Sequence, residues 1–536
     1  VRPRLEKPKK NFIDRAIEFV APVWAGERYR ARMAMASADA YLGASRRRRQ
    51  TLNWDPSSGD ADTDLDGSFE DLRDRSRDLY RNNSWARAAI NDVTRNVVGP
   101  GIRVQSRVQR DILGLTDEEA EEFQRGAESE FWIWANSTAC DARDQLTFEG
   151  IQRLAFLSHL RDGDIVVLKQ YPSAEKREVF DLRLRLVEGD RLSNPDDRQN
   201  TESLRFGVEY DERGRPKILH IADSHPGDAT TTTRRWSRVR VRGEKSGERM
   251  ALLLFEPGRV GQSRGEPFLT PVIENLKHLG KYTESELDTA VVSSCFTAFI
   301  TTQFGDGLQA QRTTASDDDS TGARTNNFEM DSGAILDLLP GEDVKFADPN
   351  RPNSGFEVFE RAMLRGLGAC LGIPYEVLVK HFQSSYSASR AALLDAWKLY
   401  RAYRAFLIRT LCPFAYEGVL VEAIAKGRLK APGFFGSPRI RAAYLRADWI
   451  GPSPGQIDPT KEVEAANMLV DGGYSTRTEQ TAYLTGGDHE ANLDQLSRER
   501  SMAERKGVSI GGGSQPTKSQ DTSAQQQDAM ERMAAG

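Results

Sequence analysis

Four cysteines in 536 residues are too few to frame a fold by cross-links. Cys140, Cys295, Cys370 and Cys412 stand far apart, mostly among apolar neighbours, a pattern of reduced core thiols in a cytosolic compartment rather than of a disulfide framework. The six histidines are scattered and none stands at ligand spacing from a cysteine, so no zinc or other metal site is expected. No apolar run reaches the roughly 18 residues that a membrane-spanning helix needs, and no signal peptide is visible. With 29% charged residues and a mean hydropathy of -0.57, the chain reads as soluble, with no membrane partner. The phosphate-cradling pattern G-x-x-x-x-G-K-[ST] does not occur, so no nucleotide or other cofactor is expected, and any motor would be a separate protein.

Outside the first fifty positions the chain has no net excess of basic over acidic residues. Residues 1–50 hold 13 Lys and Arg against 5 Asp and Glu, so this arm carries +8 and the remainder of the chain about -13. Proteins that grip duplex DNA tightly are usually basic over the binding face, because affinity comes largely from neutralising phosphates. An acidic body argues against that class, yet suits a wall along which DNA must slide without sticking. The arm has an amphipathic pattern at Phe12, Ile13, Ala16, Ile17, Val20, Val23 and Trp24, followed by the run Arg46 to Arg49. It reads as a surface helix and a solvated stretch, or else as a contact to a membrane surface, DNA or scaffold.

Two motifs imitate sites and fail. Asp62, Asp64, Asp66 and Gly67 begin like a calcium loop, but the twelfth position, where a bidentate glutamate belongs, is Arg73. Gly451-Pro452-Ser453-Pro454-Gly455 matches the G-x-S-x-G nucleophile elbow. There the residue after serine must donate a backbone N–H to the oxyanion, and Pro454 has none. A second match, at Gly507 to Gly511, falls in a tail rich in Gly, Ser, Gln and Thr that reads as disordered.

The chain is organised around residues 354–397. Ser354 and Glu357 stand at capping-box spacing, and Phe356, Phe359, Met363, Leu364, Leu367 and Leu371 recur at helical intervals. Glu357 and Arg361 lie one turn apart, as an ion pair would. Gly372 and Pro374 end the helix, a polar connector follows, and from Ala388 a second pattern runs through Leu393, Leu394, Trp397, Tyr400, Tyr403, Phe406 and Leu407 to about Lys426. Taken alone, this is equally well two core helices joined by a loop.

The rest of the chain supplies helices first and strands after. Residues 69–98 read as two helices broken at Asn82-Asn83-Ser84, with Ser84 as cap, and an apolar face at Trp85, Ala89, Val93 and Val97. Helical patterns at 118–134 and 148–160 lead to strand candidates at 165–171, 180–187, 206–210, 217–222 and 251–255, the 206–222 pair forming a hairpin. Thr270 and Pro271 open a run of about 25 residues, and 354–379 gives a second long helix. Between them lie strand candidates at 296–302 and 333–346, turned at Pro340-Gly341, and an apolar-poor insert at 305–327. Helices followed by clustered strands, without βαβ alternation, make the fold class α+β.

Four stretches resemble one family: LRDRSRDLYRNN and its continuation over 72–105, RVGQSRGEPFLTPVIENL and its continuation over 259–301, the 354–397 segment with its Gly-Ile-Pro break, and 448–488. The chain is similar there to the lambda-type portal proteins of tailed bacteriophages. The arginines of the first stretch suit inter-subunit ion pairs or a solvated face.

The resemblance implies a basic arm at 1–60, a wing at 61–268, a first stem helix at 269–295, and a clip at 296–353 carrying the insert 305–327. It continues with a second stem helix at 354–379, a tunnel loop at 380–389, a long wing helix at 390–430, a helical crown-like region at 431–505 and a disordered tail at 506–536. Phe356, Phe359, Met363 and Leu367 would assemble the stem, and Lys380, His381, Gln383, Ser384, Ser385 and Arg390 would meet DNA in the channel. The implied assembly is a dodecameric ring at one capsid vertex of the virion, built in the host cytoplasm. It would pass double-stranded DNA and meet terminase, major capsid and scaffold proteins, and head-completion proteins, with no catalytic residue of its own. A phage scaffold or connector ring without DNA passage, and more remotely a serine hydrolase, are the competing readings.

Overall fold

The computed structural model describes residues 23–24, 27–28, 30–31, 49–51, 53–56, 58–172, 178–231, 233–294, 298–302, 342–346, 355–382 and 385–508. The chain divides into two units, residues 1–66 and 67–536. In the first, α1 (Ala61–Leu65) begins with the Asp60 carboxylate accepting the Thr63 N–H at 2.8 Å. The aspartate run that imitates a calcium loop is thus partly helical. Among the described residues no group of three His, Cys, Asp or Glu side chains is placed to hold a metal ion.

The second unit opens with α2 (Phe69–Asn82) and α3 (Ser84–Val97). The cap between them is Asn83, one residue before the expected Ser84. Its side-chain oxygen accepts the Ala86 N–H at 3.0 Å, and its amide nitrogen donates to the Leu276 carbonyl at 3.2 Å. Ala89, Val93 and Val97 are buried as the periodicity of α3 requires. Then come β1 (Arg103–Ser106), α4 (Arg110–Leu113), α5 (Asp117–Ala135) and α6 (Phe148–Asp162). Thr116 and Glu119 close a reciprocal capping box at the start of α5.

Two small antiparallel sheets follow. β2 (Ile165–Gln170) lies between β3 (Arg183–Glu188) and β8 (Ala251–Leu254). The unbroken apolar run of β2 has a structural reason: Ile165 and Val167 face the main core, whereas Val166 and Leu168 face a second, smaller one. That second core is completed by the sheet β4 (Leu204–Arg205), β5 (Val208–Tyr210), β6 (Pro216–Ala222) and β7 (Trp236–Arg240), paired in that order. The β5–β6 hairpin was legible in the sequence, whereas β4 and β7 were not read from it. β1 pairs with β11 (Ala447–Ile450), two four-residue strands too short and too distant in sequence to be recognised beforehand.

The long helices come next: α7 (Ile273–Ser294), β9 (Ala298–Thr302), β10 (Glu342–Phe346) and α8 (Phe356–Leu371). The insert 305–327, the turn at Pro340-Gly341, Ser354 and Cys295 lie outside the described residues. Thr270 does not cap α7. It sits in a 3-10 turn with its hydroxyl buried and unpartnered, and Pro271 supplies the preset backbone of that turn. A short α9 (Tyr375–Leu378) precedes α10 (Tyr386–Arg409) and α11 (Leu411–Ala425). The single helix expected to run to about Lys426 is therefore two. Thr410 leaves helical geometry at φ -118°, ψ -78°, and Pro413 three residues later cannot extend the preceding hydrogen-bond ladder but fits the first turn of a new one. The chain ends in α12 (Pro438–Tyr444), β11, α13 (Pro459–Asp471), α14 (Arg477–Thr485) and α15 (His489–Lys506), with Thr476 and Glu479 forming the expected capping box.

Helices surrounding and flanking short antiparallel sheets give the α+β class that the order of elements indicated.

Candidate functional site

α7 and α8 form an antiparallel pair, joined at the far end by the β9–β10 ladder, in which Ala298 pairs with Phe346 and Thr302 with Glu342. At its base Leu276 and Leu279 of α7 and Leu364, Leu367 and Leu371 of α8 are buried in the main core. Farther out, the Tyr282 ring stacks on Phe356 at 5.7 Å and meets Phe359 edge-on at 5.0 Å. Beyond this the apolar side chains face outward: Leu287 is 64% exposed, Val358 68% and Phe359 46%. The four expected stem residues therefore separate. Leu367 is a core residue of the subunit, Phe356 and Met363 are half-buried, and Phe359 is exposed. Glu357 and Arg361 pair one turn apart as expected.

Gly372 ends α8 with φ +70°, the left-handed geometry that glycine adopts without strain, and donates its N–H to the Gly368 carbonyl. Pro374 then starts the single turn α9, which is anchored by buried Val377 and Leu378. The connector beyond it is shorter than the expected 380–389, because α10 already begins at Tyr386. Ser385 caps that helix, its hydroxyl accepting the Ala388 N–H at 3.4 Å.

Lys380 is exposed, and its backbone takes a left-handed φ of +55°, rare for a residue with a Cβ; the following N–H, of His381, closes the turn on the Glu376 carbonyl at 3.0 Å. His381 is exposed, and Gln383 and Ser384 lie outside the described residues. Arg390 is not on the connector. It sits on the second turn of α10, with Nη2 3.9 Å from Glu462 Oε1 of α13. Lys380 and Arg390 share the rim of a cleft of about 420 Å³ whose wall includes Leu393, Leu394 and Trp397.

The sequence reading missed a buried ion cluster. Asp164, fully buried, receives Arg264 Nε at 2.5 Å and Nη2 at 2.9 Å, and Arg73 Nη2 at 3.2 Å. Arg77 bridges Asp162 (2.8 Å) and Asp190 (2.6 Å). Arg73 and Arg264 both lie over the Phe69 ring, at 4.3 and 4.9 Å. Burial alone would raise the Asp164 carboxyl, but the charges of Arg264 and then Arg73 outweigh it and hold it below the ordinary range. Asp190 is likewise depressed: burial opposes ionisation, and Arg73 and Arg77 overcome it. A Cβ on Gly189 would stand 2.1 Å from Asp164 Oδ1, so that position admits only glycine.

The arginines of the 72–105 stretch thus include two, Arg73 and Arg77, that pair with carboxylates inside the subunit. They lock that stretch to Arg264 of the 259–301 stretch. A signal was available: Phe69, Arg73, Ser76 and Tyr80 recur at helical spacing, which puts a guanidinium on the buried stripe.

The Gly-Pro-Ser-Pro-Gly motif has a structural use. It forms an extended connector between β11 and α13, not a strand-to-helix elbow. A Cβ on Gly451 would stand 2.5 Å from Arg404 Cδ. Arg404 in turn donates to the carbonyls of Asn96 (2.8 Å) and Val97 (3.1 Å), tying off the end of α3.

A family model described as "Phage portal protein, lambda family" matches residues 47–404. Portal protein B of Escherichia phage lambda is 27% identical over 469 residues, covering 84% of this chain and 87% of that protein. The portal protein of Escherichia phage N15 gives the same identity and coverage. A solved chain from the neck of an empty gene transfer agent particle, computed with C6 symmetry, is 12% identical with a TM-score of 0.41, covering 79% of this chain and 98% of that one.

Proposed function

Because this chain belongs to the lambda family of phage portal proteins, we propose that its copies close into a dodecameric ring at one capsid vertex, through which double-stranded DNA is packaged and later ejected. Its function is that of a phage portal protein, a component of the virion. The ring, its channel and its partners are the finer reading. The observation that carries it is the apolar side of the α7–α8 pair. α7 has 22 residues, about 33 Å of helix. Leu287, Val358 and Phe359 gain nothing by lying in water on such helices, and a neighbouring copy would cover them.

In this reading α7 and α8 are the stem, and residues 296–353 between them are the clip on which terminase docks during packaging and head-completion proteins afterwards. Residues 61–268 with 390–430 make the wing toward the capsid and scaffold proteins, 431–505 the crown-like region, and assembly takes place in the host cytoplasm. The ring is passive, with ATP hydrolysed by the terminase motor. The connector over 379–385 touches passing DNA through Lys380 and His381, both exposed. A few phosphate contacts are weak and salt-sensitive, so they can follow DNA without holding it.

Negative-stain microscopy of the purified protein should show rings with a central hole. Heads built with K380A/H381A rings should then assemble normally but protect less DNA from nuclease than wild-type heads. Full packaging and retention by that variant would remove the connector from the channel; the absence of rings would remove the channel itself.

A further inference from the structure

The four-stranded sheet turns one face to the second core through Val208, Leu219 and Val239. Its other face is basic. Arg238 and Arg240 project from it on β7; Lys217, which shares the parity of Leu219 but sits at the outer end of β6, and Arg215 and Arg242 at the strand ends complete the lining of a polar cleft of about 670 Å³, and all five are exposed. Two carboxylates, Asp211 and Glu244, share that cleft. Arg215 pairs with Asp211 at 2.8 Å, Arg240 with Glu244, and Arg238 with Glu209 at 3.0 Å. Among the described residues Lys217 and Arg242 have no carboxylate partner; Arg242 donates to the Gly247 carbonyl at 3.1 Å. Behind them the Arg249 guanidinium is held below its ordinary value, by burial first and by the Arg242 charge second. Residues 213–249 contain ten Lys and Arg against four Asp and Glu, in a body that is otherwise acidic.

We infer that this sheet face is a second DNA contact, separate from the channel, which binds the phosphate backbone of duplex DNA without reading sequence. It rests on the portal reading only for DNA being at hand. Arg238, Arg240 and Arg242 alternate along an extended chain at about 6.8 Å, twice the 3.4 Å rise per nucleotide of one strand. Four of the five cations are arginines, whose planar fork suits phosphate oxygens. An acidic protein partner is the other polyanion to consider, but protein interfaces are anchored by buried aromatic and aliphatic side chains, and this cleft offers Pro216 and Ile218 alone as apolar lining.

The test uses covalently closed circular DNA, which cannot thread a closed ring and so reports on surfaces outside the channel. Arg46, Arg47, Arg48 and Arg49 are replaced by Gln in both proteins compared, to silence the basic arm. The full chain should bind closed circles in filter binding with a steep salt dependence. K217Q/R240Q/R242Q should lower the slope of log K against log salt by about 2 to 3 and weaken binding on the order of tenfold at low salt. Equal slope and affinity in the variant, or no binding of closed circles by the parent protein, would overturn the inference. So would tighter binding of poly-glutamate than of DNA at equal charge, which would make the face an acidic-protein site. Mass photometry of the same samples reads ring formation separately: unassembled subunits that still bind circles through these residues would keep this inference and sink the ring.

Discussion

Individual side chains set how the subunit responds to acid. His159 is buried against Phe156, Tyr403 and Phe406, and its Nδ1–H donates to the Gly163 carbonyl at 3.0 Å. Burial pushes its pKa down to about 4, against opposing effects from that hydrogen bond and from Asp164. Between that value and the ordinary 6.5 the unfolded chain binds more protons than the folded one. The stability contributed by neutral His159 is therefore complete above about pH 6.5 and is lost as pH falls toward 4, about 3 kcal/mol in all. Urea unfolding at pH 7 and at successive values down to 4.5 should show this loss, and H159Q should show a flatter profile over the same window. An unchanged profile would mean that folding does not lower the His159 pKa. The Asp164 cluster acts lower on the scale: its carboxyl is depressed, so its contribution is present above about pH 4 and disappears only below it.

At the scale of elements, α7 and α8 change character along their length. Their base belongs to the subunit core and their outer part does not. Leu367 is 2% exposed, so L367D buries an unpaired charge inside the monomer and should cost several kcal/mol, unfolding the subunit before assembly is in question. F359D places its charge at a position already 46% exposed, beside Tyr282, and should leave circular dichroism and the melting temperature near wild type while abolishing rings in mass photometry. Normal rings from F359D would remove this face from the interface. The periodicity of α8 shows Phe359 and Leu367 as members of one apolar stripe, because spacing records which side of a helix a residue occupies and not what covers it. Similarly, the pattern from 386 to 425 reads as one helix although Pro413 forces a new start after Thr410.

For the whole molecule, the proposed passive conduit places the motor in a separate protein. The purified protein should turn over no ATP above the level of a mock preparation in a phosphate-release assay; robust turnover would overturn the passive conduit. Helix order, the Gly-Ile-Pro stop, the central hairpin and the α+β class were legible in the sequence alone, because caps, breakers and period-3.6 or period-2 patterns act within a few residues; the portal family was legible only as the resemblance of four stretches to known members. The tertiary structure decided what depends on residues far apart. It turned Arg73 and Arg77 from expected solvated or inter-subunit charges into members of a cluster with Arg264, Asp164 and Asp190, and it gave Gly451 and Arg404 a shared packing role. It paired β1 with β11 and moved Arg390 off the connector toward Glu462. It also gathered Lys217, Arg238, Arg240 and Arg242 around one cleft. Local patterns carry the backbone's preferences, whereas burial and charge pairing exist only once distant segments meet, and no spacing along the chain encodes them.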